Sequence, residues 1–172
     1  MLSTDSYRAT ADAIVDKIGW NQDYFNEVVD YSLTNEYPVA MRAARVAQLC
    51  AEKHPSLAVS NLERIIEFLP KAKIDGVKRC YIKLFTENVA ISELEKLKNL
   101  GILLDMGFQW VLNPKEAIAI RAFSLYLLNK LSKIEPDINI ELLAVLEKCS
   151  IEDSPGMISV TRKLIPIIRK KT

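Results

Sequence analysis

Glycine is scarce in this sequence, five residues in 172 against a usual share of ~7%. That scarcity disfavours tight-turned β architectures and the glycine-rich loops that cradle phosphates. Histidine occurs once, at His54, so a His-based dyad would have to recruit its partners from elsewhere in the fold. The sequence has no HExxH, GxSxG, Walker or GxGxxG motif, and it lacks the Ser-rich loop of fumarase-type lyases. The metal, hydrolase and nucleotide chemistries tied to those motifs therefore lack their required pieces. No apolar run approaches the ~20 residues that span a bilayer. The longest, 117–128, is interrupted by Arg121. The first 16 residues have no basic stretch leading into an apolar one, and Arg8, Asp12 and Asp16 break them up, so they do not read as a signal peptide. Net charge is also missing: 23 basic residues against 22 acidic ones give +1, and no bulk field draws the chain to polyanions. Cys50, Cys80 and Cys149 lie far apart, each within an apolar helical pattern. They read as small core hydrophobes in a reducing compartment, and the expected location is cytoplasmic.

What the sequence does have is helical periodicity. Leu62, Ile65, Ile66 and Leu69 follow i, i+3, i+4, i+7, as do Val77, Cys80, Tyr81 and Leu84. Helix starts are marked at Asn21, at Ser92 with Glu95, at Asn113-Pro114 and at Ser154-Pro155. Nine helices are expected, over 4–18, 21–33, 38–53, 56–69, 76–87, 92–111, 114–134, 138–149 and 155–170, joined by short connections that favour antiparallel hairpins. The seventh, apolar almost all round, should be central, and Pro166 should kink or shorten the ninth.

Alternate helices repeat a signature of Arg, a small residue and an apolar run. It occurs at Arg42, Arg79, Arg121 and, more weakly, Arg162, at spacings of 37, 42 and 41 residues. The segment YSLTNEYPVAMRAA also lies over WVLNPKEAIAIRAF, with Tyr31 matched to Trp110. A helix pair recurring about every 40 residues is the period of a helical solenoid.

On Pro38, Pro114 and Pro155 near helix starts, on Arg42, Arg79 and Arg121, and on the apolar positions after them, the chain resembles the HEAT and armadillo-like helical repeat family. The resemblance covers nearly the whole chain. It implies an all-α, right-handed α-α superhelix of about four antiparallel helix pairs plus a terminal helix, as a single domain over 1–172, with the second helix of each pair lining the concave face. The first pair lacks the Arg signature, so it and the ninth helix read as caps. The recurring arginines read as structural, pairing with carboxylates and packing along their alkyl stems. His54 reads as a solvated turn residue, and Asp105 falls off its helix's apolar stripe and reads as a surface carboxylate.

Charge separates by helix class. Expected helices 2, 4, 6 and 8 are each net negative, whereas 3, 5, 7 and 9 are each net positive. Tyr31, Phe68 and Trp110 fall on the acidic second helices, beside Glu27, Asp30, Glu63 and Glu67. These seven residues form the expected partner-binding set, aromatic anchors with acids suited to a basic or amphipathic protein segment. Core burial of Trp110 is an equally good reading. The leading functional expectation is thus a noncatalytic protein-interaction module or scaffold, with no cofactor, no metal and no membrane. The alternative is a nucleic-acid-binding protein, since DNA-alkylation-repair glycosylases are also built from HEAT-like repeats. Here, however, the basic residues gather on first helices, at Lys78, Arg79, Lys83, Lys163, Arg169, Lys170 and Lys171, and no motif fixes an Asp–Trp pair. A homodimer formed through exposed repeat ends is a third alternative.

Overall fold

A computed structural model describes residues 8–172. The expected stretch 4–7 of the first helix lies outside them. The chain divides into two compact units, Met1–Asn99 and Leu100–Thr172. Every regular element among the described residues is helical.

The N-terminal unit contains α1 (Arg8–Ile18), α2 (Gln22–Ser32), α3 (Val39–Lys53), α4 (Ser56–Val59), α5 (Leu62–Phe68), α6 (Asp75–Lys83) and α7 (Ile91–Leu94). Its centre is α3, packed against α1, α2 and α6. The sequence of α3 explains that position. Ala40, Ala43, Ala44, Ala47 and Ala51 are all buried, and short side chains let three neighbours come close. Gly76 on α6 serves the same end, because a Cβ there would lie 2.4 Å from Met41 Cγ. Phe25, Ile65, Ile66, Tyr81 and Phe85 fill the remaining core, and the Tyr81 hydroxyl bonds to Ser32 Oγ.

The C-terminal unit contains α8 (Leu100–Leu112), α9 (Ile118–Leu131), α10 (Asn139–Glu152) and α11 (Pro155–Arg169). Here α9 packs against both α8 and α11, the central place expected of the seventh helix within its unit. Leu125 and Leu128 meet Leu142, Leu146, Met157 and Leu164 in one apolar cluster. Ser154 caps α11, its Oγ accepting from the Met157 N–H at 3.4 Å, with Pro155 in the first turn. The helix runs through Pro166 to Arg169 and is not shortened, and Pro166 itself is exposed.

Three expected helices are broken or start late, each where a polar side chain makes a competing hydrogen bond. The segment 56–69 breaks at Ser60-Asn61, where the Asn61 side chain turns to Asn26 Oδ1 on α2 (2.7 Å) instead of following the helix. The segment 92–111 breaks over 95–99. There the Lys98 N–H donates to Glu63 Oε1 at 2.6 Å, and Asn99 Nδ2 donates to Glu67 Oε1 at 3.1 Å. Glu63 on α5 thus takes a backbone N–H that a continuous helix would have bonded internally, and Glu67 holds the Asn99 side chain beside it. The start expected at 114 moves to Ile118 because Asn113 Oδ1 accepts from the Lys115 N–H at 3.0 Å and closes a turn first.

Candidate functional site

The second helix carries three faces, and their separation creates the candidate site. Asn21 fixes its start, with Oδ1 accepting from the Tyr24 N–H at 3.0 Å. Phe25, Val28, Val29 and Ser32 turn inward and are buried. A polar stripe at i, i+4, i+8 holds α2 to the following elements: Gln22 donates to the Leu57 carbonyl (3.0 Å), Asn26 accepts from Asn61, and Asp30 pairs with Arg64. The third stripe, Tyr24, Glu27 and Tyr31, follows i, i+3, i+7 and faces outward.

Because α1 packs chiefly on α3 and only sparsely on α2, a cleft remains open beside this third stripe. Its volume is about 230 Å³, and Ile14, Lys17, Ile18, Tyr24, Glu27, Val28 and Tyr31 line it. Tyr24 and Tyr31 are each 49% exposed and one helical turn either side of Glu27. The floor is apolar, the rims are phenols, and the charged residues of the lining are Glu27 on α2 and Lys17 on α1, while Asp23 and Asp30 lie on α2 outside it. Trp20 (70% exposed) and Tyr37 (72%) lie at either end of the same stretch of chain. Among the described residues all four exposed aromatics fall between positions 20 and 37. Aromatic side chains left in water at such density mark interaction surfaces more often than folding requirements.

The seven residues expected from the sequence separate. Glu27 and Tyr31 line the cleft, and Asp30 stands next to it but is engaged by Arg64. Glu63 and Glu67 bond the 95–99 segment, and Glu63 Oε2 is itself buried. Phe68 ends α5 half-buried. Of the two readings open for Trp110, the structure takes core burial: it is 7% exposed in the C-terminal unit, offers almost no surface and leaves the binding set. Its helix is apolar on nearly every face, so position on the helical wheel could not tell an anchor from a core residue. Tyr24 was missed, although its spacing from Val28 and Tyr31 was there to be read. What the sequence did not carry was the loose packing of α1.

Elsewhere the polar chemistry is structural. Arg121, 8% exposed on α9, donates from Nε to the Val111 carbonyl (2.9 Å), from Nη1 to Asp153 Oδ1 (2.9 Å) and from Nη2 to Asp153 Oδ2. Burial alone would raise the Asp153 pKa, but hydrogen bonds from Arg121 and the Ser154 N–H, with the guanidinium charge, outweigh it and hold the carboxyl below its ordinary value. Of the other signature arginines, Arg42 is half-buried and Arg79 and Arg162 are exposed. His54 caps α3 half-buried, its ring centroid 4.0 Å from that of Trp20, which corrects the solvated-turn reading. Cys50, Cys80 and Cys149 are buried free thiols, and burial pushes Cys50 up to about 12 against the opposing charge of Lys53. Asp105 is exposed. Among the described residues no group of three His, Cys, Asp or Glu is arranged to hold a metal ion, and no helix is long and apolar enough to cross a membrane. A second cleft of about 460 Å³, lined by Pro55, Ser56, Val59 and 87–90 with Glu93, contains no aromatic, and its two glutamates pair with Lys83 and Lys96.

A family model described as a HEAT repeat domain matches residues 1–168. No curated protein and no solved structure matches the chain.

Proposed function

The chain belongs to the HEAT repeat family, and from that premise we propose that it is a noncatalytic interaction module that holds a basic, amphipathic segment of a protein partner in the cleft between α1 and α2. HEAT repeats generally mediate protein–protein interaction or scaffolding. The observation that carries this reading is the cleft's outer stripe, two half-exposed tyrosines flanking a glutamate on a helix with no basic residue. Glu27 has no hydrogen-bond or ion-pair partner among the described residues and is available to a lysine or arginine. The tyrosines offer flat apolar area at little entropic cost and a hydroxyl for the rim. Asp23 on the same helix adds to the field that would steer a cation in. The absence of any sequence motif for nucleophilic or metal-assisted chemistry agrees with a binding role. Three buried free thiols suit a reducing compartment such as the cytoplasm.

The test is selection from a displayed random-peptide library with the purified chain as bait. Enriched peptides should combine Lys or Arg with apolar residues at helical spacing. Binding of an enriched peptide, followed by calorimetry, should weaken at least tenfold in Tyr31→Ala and in Glu27→Lys, while Glu67→Gln stays near wild type. Enrichment of acidic peptides, or peptides indifferent to both variants, would sink the cleft assignment.

A further inference from the structure

The last helix presents the opposite chemistry. Between Pro155 and Thr172 there is no aspartate or glutamate, and there are five cations, Arg162, Lys163, Arg169, Lys170 and Lys171. The inward face of α11, Met157, Val160, Thr161, Leu164 and Ile168, is buried in the core of the C-terminal unit. Its outward face is therefore fixed: Arg162, Pro166 and Lys170 follow i, i+4, i+8 and are all exposed, with Lys163 and Ile167 beside them. Arg162 and Lys170 stand ~12 Å apart along the axis at the α-helical rise.

Among the described residues one cation of α11 is neutralised by a carboxylate, Arg169, which donates to Glu147 at 2.8 Å. Lys171 is held differently. Its Nζ donates to Asn129 Oδ1 (3.2 Å) and to Ser132 Oγ (3.0 Å), two neutral acceptors at the end of α9. That seat brings it to Lys133, which follows the same helix. Burial first, and the Lys133 charge second, lower the pKa of both Lys171 and Lys130. Cations gathered in this way repel one another, and an anion laid across them relieves the cost.

The chemistry of that anion follows from what the surface does not contain. Tyr126 and Phe108 are half-buried against the core of this unit, and the exposed aromatics among the described residues all lie between positions 20 and 37, so no exposed tyrosine or tryptophan here anchors a peptide or offers a platform on which unpaired bases could stack. A surface that offers charge along a rigid helix, without base-reading or stacking groups, suits a regular array of phosphates. We propose that Lys133, Arg162, Lys163, Lys170 and Lys171 form a sequence-independent binding surface for the phosphate backbone of duplex nucleic acid, separate from the α1–α2 cleft.

The experiment is fluorescence anisotropy of an end-labelled random-sequence DNA duplex of about 20 base pairs titrated with the full chain. With about four phosphates neutralised, affinity should fall about a hundredfold between about 50 and 200 mM salt. Arg162→Gln/Lys163→Gln/Lys170→Gln should reduce the log–log salt slope by about three and weaken binding at least tenfold at the lower salt. Those three side chains are exposed and unpaired among the described residues, so the thermal melt of the variant should match wild type. Lys73→Gln/Arg79→Gln, which removes exposed cations from the N-terminal unit, should bind as wild type does. Absence of binding at the lower salt, a triple variant that binds unchanged, or tighter binding to the matching single strand would overturn the proposal. Sedimentation with phosphatidylserine vesicles, without retention of the duplex, would overturn it in favour of an anionic lipid surface.

Discussion

Replacing Arg121 by methionine should cost the C-terminal unit ~3–5 kcal/mol, the usual penalty for removing one member of a buried ion pair. The structure sets that scale. The Arg121 and Asp153 side chains are 9% and 13% exposed, and the guanidinium makes three hydrogen bonds, two to the carboxylate and one to the Val111 carbonyl. Methionine keeps most of the alkyl stem, so the loss belongs to the charged head and not to a cavity. What remains is an unpaired carboxylate that water reaches poorly, and this residual charge, more than the missing bonds, makes the penalty large. Urea unfolding at neutral pH gives the number, and pH gives the mechanism. The Asp153 pKa is depressed in the folded protein, so the pair's stabilisation is complete above the unfolded aspartate value of ~3.9 and disappears as pH falls through the lower folded value. Arg121→Met has no such pair to lose, and its stranded carboxylate becomes easier to bury once protonated. The gap between wild type and variant should therefore narrow steadily from pH 5 to pH 2. A double-mutant cycle with Asp153→Asn should return a coupling of at least ~1.5 kcal/mol. A loss below about 1 kcal/mol, or a gap that ignores pH, would refute the reasoning and reduce the pair to a surface contact.

Three further expectations can be checked on the same material. Gly76→Ala should destabilise by ~1–2 kcal/mol despite alanine's better helix propensity, because its Cβ would lie 2.4 Å from Met41 Cγ; chemical denaturation should show the penalty shrinking in a Met41→Ala background. Cys50, with its thiol pushed up to about 12, is only about one part in ten thousand thiolate at pH 8, so it should resist alkylation in the native protein and react once the chain is unfolded in urea. Glu63→Ala removes the acceptor of the Lys98 N–H and should speed hydrogen exchange over 95–99 while costing about 1 kcal/mol overall, whereas Glu63→Gln keeps a carbonyl in place and should exchange close to wild type.

Much of the fold was legible because helices are governed by local rules. The 3.6-residue apolar period placed most helices, and the caps at Asn21 and Ser154 act as their residue types require. The expected boundaries failed where distant side chains met the segment, at Asn61 and over 95–99, and where Asn113 closed a local turn ahead of α9. Neither Asn61 nor Glu63 announces its partner, which lies about 35 residues away. The acidic candidates met the same difficulty. Glu27 and Glu67 are alike in the sequence, yet one borders an open cleft and the other bonds Asn99.

By itself the sequence determined the helical class and the alternation of acidic with basic segments, since a 3.6-residue apolar period and formal charge are written locally along the chain. Only the tertiary structure decided which of those side chains stay in water. Trp110 entered a core and Tyr24 did not, and Arg121 found a buried carboxylate where Arg162 found solvent. Exposure depends on how tightly one helix sits upon another, and the loose seat of α1 on α2 is a property of the packed chain, encoded in no single segment of it.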